Sequence, residues 1–167
     1  MKKLVFRPER CTGCRACELA CSFFCDGVFS PTRSRIRVVR IDEEGIDVPI
    51  GCAHCDNAPC MLVCPSPLAM YRDKDTGAVV INVDACIGCR SCMLICPFGA
   101  INHDAEKGFC YKCDLCHGDP ECVKWCFTKA IEYVEDEEIR RSKRSRVAEE
   151  VAKVSLEAAR FIKPGKG

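Results

Sequence analysis

The 167-residue sequence has no uninterrupted apolar run approaching the roughly 20 residues that cross a bilayer, so any membrane contact is expected through a partner. It also lacks the apolar stretch of about 7 to 15 residues that marks a secretory leader, because MKKLVFRPERC reaches its first cysteine after only three adjacent apolar residues. The expectation is a cytoplasmic chain, where stable disulfides are rare. Histidine is scarce: His54, His103 and His117 are the only three. No Ser-His-Asp set, Gly-rich phosphate loop or flavin fingerprint accompanies them, so no catalytic machinery is evident. The formal net charge is only +1, and what basic excess there is lies at residues 136–167, where nine Lys or Arg face six Asp or Glu.

Cysteine is what the chain has in abundance, 18 residues, well above ordinary usage. Sixteen fall into four quartets: Cys11, Cys14, Cys17, Cys21; Cys52, Cys55, Cys60, Cys64; Cys86, Cys89, Cys92, Cys96; and Cys113, Cys116, Cys122, Cys126. Every quartet opens C-x2-C and closes C-x3-C, with middle gaps of two, four, two and five residues. Cys25 and Cys110 are left over and are read as small buried apolar residues, although Cys110 forms a further C-x2-C with Cys113. Structural zinc joins two C-x2-C pairs across roughly a dozen residues or more, a spacing much looser than these quartets. A thioredoxin-like redox motif accounts for a single pair.

C-x2-C-x2-C-x3-C followed by proline is the bacterial ferredoxin pattern, in which the fourth cysteine ligates a different cluster from the first three. Three thiolates on a tight loop suit three corners of an iron–sulfur cube, and the fourth is expected to begin a short helix leading toward a neighbouring cube. Four quartets therefore point to four 4Fe-4S clusters. Proline follows Cys64 and Cys96, but Ser22 follows Cys21 and Phe127 follows Cys126.

The intervening segments read as short strands and turns. KKLVF precedes the first quartet, RIRVVRI leads through DEEG into IDVPI as a hairpin, LAMYRDKDTGAVVINV and AINHDAEKGFCYK each read as strand, turn, strand, and AIEYV closes the series. Arg35, Arg37 and Arg40 are expected on a solvated face, His54 and His117 as loop residues or sulfur neighbours, and Trp125 as packing. Beyond residue 135 one long helix is expected, acidic in its first turn and ended by the KPG at 163–165. Val147, Val151, Val154, Ala158 and Phe161 give it an apolar stripe that suits packing on the body, docking to another chain or self-association. Its five basic residues from 140 to 146 have no aromatic partners, and no nucleic-acid binding is expected.

The four quartets, their order and the widened gaps of the second and fourth resemble the four-cluster ferredoxin subunits that serve molybdenum and tungsten pterin enzymes, hydrogenases and carbon monoxide dehydrogenase. The resemblance covers residues 1 to about 135. It implies an α+β fold of two interleaved 2×(4Fe-4S) ferredoxin-like modules, one from 1–49 with 105–135 and one inserted at 50–104, plus a C-terminal helix at 136–167. It further implies that one cluster is held by Cys11, Cys14, Cys17 and Cys126, and its pair by Cys21, Cys113, Cys116 and Cys122. A third would be held by Cys52, Cys55, Cys60 and Cys96, and a fourth by Cys64, Cys86, Cys89 and Cys92. The implied role is a non-catalytic electron-transfer subunit between a catalytic subunit and a ferredoxin, a flavoprotein or a further subunit. The CTGCRACELACSF opening, the compact chain and the basic terminal helix look most like the small subunit of tungsten aldehyde:ferredoxin oxidoreductases. Formate dehydrogenase, hydrogenase and carbon monoxide dehydrogenase subunits, or a free polyferredoxin or redox sensor, are the other readings.

Overall fold

The computed structural model describes residues 1–161, without the side chains of 142, 143, 146 and 154–161. The chain divides into two compact units, Met1–Tyr133 and Val134–Gly167. Among the described residues eight short strands pair only two by two, and four short helices each carry the third cysteine of a quartet. The result is an α+β fold.

The first strand, β1 (Lys2–Phe6), pairs with the last, β8 (Ile131–Glu135), so the two ends of the cysteine-rich region meet. Arg7 ties this closure: its N–H donates to the Ala130 carbonyl at 2.8 Å, and its guanidinium bonds Glu132 at 2.5 Å. The other strands form three antiparallel hairpins, β2 (Arg37–Ile41) with β3 (Ile46–Ile50), β4 (Met70–Arg72) with β5 (Val79–Ile81), and β6 (Ile101–Asp104) with β7 (Phe109–Lys112). All three occur where alternation and turn residues place them. In the last two, an Asp carboxylate, Asp73 or Asp104, accepts backbone N–H groups inside its turn, and a glycine at positive φ, Gly77 or Gly108, donates back to that Asp carbonyl at 3.0 or 2.8 Å. The β6–β7 hairpin runs across residue 105, where the sequence places a module boundary.

The helices are α1 (Ala16–Asp26), α2 (Pro59–Leu62), α3 (Ser91–Ile95) and α4 (Glu121–Lys124). Each begins one residue before the third cysteine of its quartet. This corrects the expectation that the fourth cysteine begins the helix. Only in α1 does the helix also hold the fourth cysteine, Cys21, about 6 Å along the axis from Cys17; Cys64, Cys96 and Cys126 lie just past the ends of their helices. α1 packs on α4, and α2 on α3.

Two apolar cores result, and cysteine supplies much of each. One gathers Cys17, Cys21, Ile36, Val38, Cys122 and Ile131, with Cys11 and Cys126 against it. The other gathers Cys60, Met70, Val79, Cys92, Ile101 and Cys110, with Cys64, Cys86 and Cys96 against it.

The second unit is chiefly α5 (Asp136–Phe161), acidic in its first turn, with Arg140 bonded to Asp136 at 2.5 Å. Val147 and Val151 of its stripe are exposed. The side chains of Val154, Ala158 and Phe161, and the KPG at 163–165, lie outside the described residues. Among the described residues no helix is long and apolar enough to cross a membrane.

Candidate metal centres

Each cluster loop is shaped by residues in the left-handed region of backbone space. In the first and third quartets these are a Gly-Cys-Arg run: Gly13 and Arg15 have φ of 67° and 58°, and Gly88 and Arg90 have 66° and 64°. The second loop turns at His54 (φ 45°), and the fourth at Leu115, Cys116, His117 and Gly118. Left-handed residues among right-handed ones make successive backbone N–H groups converge, which creates a concavity that binds anions, including iron–sulfur sites. Here the N–H groups reach cysteine sulfur. His54 donates to Cys52 Sγ and Leu115 to Cys113 Sγ, both at 3.4 Å. Arg35 donates to Cys21 Sγ at 3.3 Å and Cys110 to Cys86 Sγ at 3.4 Å.

The cysteines face one another across three small cavities. The first is lined by Cys52, Cys55 and Cys60 of the second quartet with Cys96 of the third. The next is lined by Cys86, Cys89 and Cys92 of the third with Cys64 of the second. The last is lined by Cys113, Cys116 and Cys122 of the fourth with Cys21 of the first. The remaining set also converges, since Cys14 and Cys126 both act electrostatically on Cys17, and Cys11 packs on the same core. The leftover cysteines each join a cavity wall, Cys25 beside Cys21 and Cys110 beside Cys92.

Burial first, and neighbouring thiols with it, make Cys17, Cys60, Cys92, Cys110, Cys113, Cys116 and Cys122 reluctant acids. Burial pushes Cys17 up to about 12, aided by the Glu18 carboxylate, and Cys92 and Cys113 also to about 12. Only Cys14 and Cys89 are exposed, and Cys89 is held below the usual thiol range by hydrogen bonds from Ser91. Four thiolates gathered round one space would repel one another, and iron, which takes thiols in deprotonated form, would compensate them. Donor set, apolar walls and inward N–H groups fit an iron–sulfur cube. Among the described residues no three Cys, His, Asp or Glu side chains close round a single ion.

A model of the 4Fe-4S dicluster domain matches residues 43–136, which hold the second, third and fourth quartets. The chain belongs to the 4Fe-4S dicluster family. A 4Fe-4S binding domain also matches residues 8–23, the first quartet. With 43% identity over 74% of the chain and 70% of the relative, it is similar to the polyferredoxin-like subunit of an aliphatic sulfonate oxidoreductase of Pyrococcus furiosus. It is 39% identical, over 93% of the chain and 82% of the relative, to a probable anaerobic dimethyl sulfoxide reductase chain of Escherichia coli. Among solved structures the active-site complex BamBC of benzoyl coenzyme A reductase aligns over 94% of the chain and 98% of the matched chain, with 26% identity and a TM-score of 0.47. Like the family, this chain carries 4Fe-4S clusters as cofactors and is an electron-transfer protein, not a catalytic one.

Arg35 and Trp125 differ from their sequence reading, while His54, a sulfur neighbour, and His117, an exposed loop residue, fit theirs. Arg35 is not on a solvated face: its Nε and Nη1 are buried, and its guanidinium stands 5.7 Å from the Tyr111 ring centroid. His54 is buried, while His117 is exposed. Trp125 is exposed and borders an apolar surface groove with Phe23, Phe24 and Phe29. Charge burial has no local sequence signature, because it depends on which distant loops fold over the residue.

Proposed function

We propose that this chain is the electron-transfer subunit of an oxidoreductase complex, carrying electrons through four 4Fe-4S clusters between a catalytic subunit of the tungsten-pterin aldehyde oxidoreductase type and a ferredoxin, flavoprotein or further subunit. The observation that carries it is the lining of the three cavities, each by three cysteines of one quartet and one of another. The ligand sets are those implied by the resemblance: Cys11, Cys14, Cys17, Cys126; Cys21, Cys113, Cys116, Cys122; Cys52, Cys55, Cys60, Cys96; and Cys64, Cys86, Cys89, Cys92. They define two ferredoxin-like modules, the second inserted into the first.

Each cluster supplies one-electron transfer at a potential tuned by hydrogen bonds to sulfur, charge and burial. The chain supplies the order. Cys113 has both Cys21 and Cys52 within electrostatic reach, which makes their two sets the middle of the wire. The sets containing the exposed Cys14 and Cys89 are its two ends, where electrons are exchanged with partners.

The relatives named as chains of a sulfonate oxidoreductase and of dimethyl sulfoxide reductases support a catalytic partner. The CTGCRACELACSF opening supports tungsten. A molybdenum partner of the dimethyl sulfoxide reductase kind is the second reading, favoured by the 39% identity over 93% of the chain. The proposed compartment is the cytoplasm, and α5 is proposed to dock the partner or a second copy.

Anaerobic purification through a tag on this subunit, with metal analysis of everything that accompanies it, tests the proposal. Tungsten or molybdenum with a second chain is expected. Nickel would move the partner to a hydrogenase or carbon monoxide dehydrogenase, and no second chain would leave a free polyferredoxin or sensor. Removing residues 136–167 should release the partner, and unchanged assembly would end the docking role of α5.

A further inference from the structure

Among the described residues two lysine or carboxylate side chains are buried, Glu18 and Lys112, and Lys112 lies in the middle of the proposed wire. It is 4% exposed and lines the cavity of Cys52, Cys55, Cys60 and Cys96, while its backbone leads directly into Cys113 of the adjoining set. Its Nζ donates to the carbonyls of Val79 and Cys113, the latter at 3.1 Å. Both acceptors are neutral. An ammonium taken out of water requires a compensating negative charge, and the negative groups beside this one are the cysteine sulfurs, with Lys112 acting on both Cys60 and Cys113.

His54 forms part of the wall of the same cavity and is 5% exposed. The Val79 N–H donates to its Nδ1 at 3.0 Å, so that nitrogen holds a lone pair and the ring proton sits on Nε2. Nε2 is buried and has no hydrogen-bond partner in the protein. Buried N–H groups without an acceptor are rare in native structures and call for a missing partner. A cluster filling the cavity beside this ring presents sulfur acceptors.

We propose that Lys112 and His54 set the reduction potential of the cluster held by Cys52, Cys55, Cys60 and Cys96, the ammonium by its charge and the imidazole by donating its Nε2–H to a cluster sulfur. One-electron reduction adds one negative charge to the cluster and moves no proton, and the electron comes from the partner or carrier proposed above. Both groups favour that added charge, so both raise the potential and make this central site the point where electrons collect. The inference rests on the proposed ligand set, and its test separates the two.

The experiment is an EPR-monitored redox titration of the anaerobically purified holoprotein, with the signal of this site marked by its loss in Cys60→Ser. His54→Asn keeps a residue that tolerates positive φ and an oxygen able to take the Val79 N–H, but it removes the Nε2 donor. The marked signal should shift so that its reduced fraction, relative to oxidised, falls about tenfold at fixed potential, or about 59 mV for one electron. Lys112→Met should shift it in the same direction, with recovery in Lys112→Arg, and His54→Gln, which retains a long donor, should shift it less than His54→Asn. Should Lys112→Met fail to assemble, Lys112→Gln, neutral but able to keep a donor to the Val79 carbonyl, takes its place, and the histidine pair decides the imidazole's part by itself. An unmoved marked signal in His54→Asn overturns the imidazole donor, and an unmoved signal in an assembled Lys112→Met overturns the charge effect. If Cys96→Ser removes a different signal from Cys60→Ser, the ligand set is wrong, whatever the potentials do.

Discussion

Gly88 stands so close to Gly108 that a β-carbon on it would lie 2.1 Å from the Gly108 carbonyl oxygen. The third cluster loop is thereby pressed onto the turn of the β6–β7 hairpin, at a residue whose φ of 66° already disfavours a side chain. Gly88→Ala is therefore expected to cost more than the roughly 1–2 kcal/mol of left-handed strain alone, because a backbone oxygen cannot step aside as a flexible side chain can. Gly99→Ala is the control, since φ is 58° there and nothing lies within 4 Å of the added carbon. Anaerobic denaturation should rank Gly88→Ala well below Gly99→Ala, with iron loss confined to the former; equal stabilities would contradict the close approach.

Cys96 lies at the end of α3 in the third quartet, yet it lines the cavity of Cys52, Cys55 and Cys60. Replacing Cys96 with Ala should damage the cluster of the second quartet and leave that of Cys86, Cys89 and Cys92 with its own ligands. EPR of the reduced holoprotein distinguishes the two signals, and loss of the third-quartet signal instead would reverse the cross-pairing.

Glu18 is the counterpart of Lys112, a buried carboxylate beside Cys17. Its Oε1 accepts the Val38 N–H at 2.7 Å, while Oε2 is buried without a partner, and its charge helps raise Cys17. A fixed negative charge opposes reduction of the neighbouring cluster. Glu18→Gln retains an acceptor for Val38 and removes the charge, so the site containing Cys17 should rise in potential by about 59 mV per tenfold change in its reduction equilibrium. A redox titration showing no rise would mean that the carboxylate does not govern that site.

Apolar burial alone is expected to leave this cysteine-rich region short of a stable core. Cysteines make up about half of both cores, beside aliphatic side chains such as Val79, Ile101, Ile36 and Ile131. Metal-coupled folding follows from such a composition. Chelation of iron under anaerobic conditions should unfold most of residues 1–135, and a native-like circular dichroism spectrum of the apoprotein would refute this.

The strands were legible because each lies beside a turn with its own chemistry, as in DKDTG between Met70–Arg72 and Val79–Ile81. The quartets were legible because ligand spacing is a covalent constraint, independent of tertiary structure. The helix starts were not: in α1 and α3 the helix follows a left-handed arginine, Arg15 or Arg90, a conformation the side chain does not announce. His54 and Lys112 were equally hidden. Their burial arises where the second-quartet loop, β5 and β7 meet, which couples positions 54, 79 and 112 across more than fifty residues of chain.

The central claim is a chain of four clusters on one subunit, and the most direct measurement is iron and acid-labile sulfide per chain in the anaerobically purified protein, with any partner's share subtracted. About sixteen of each are expected, four per 4Fe-4S cluster. Eight or fewer in a folded chain with every cysteine intact would contradict it.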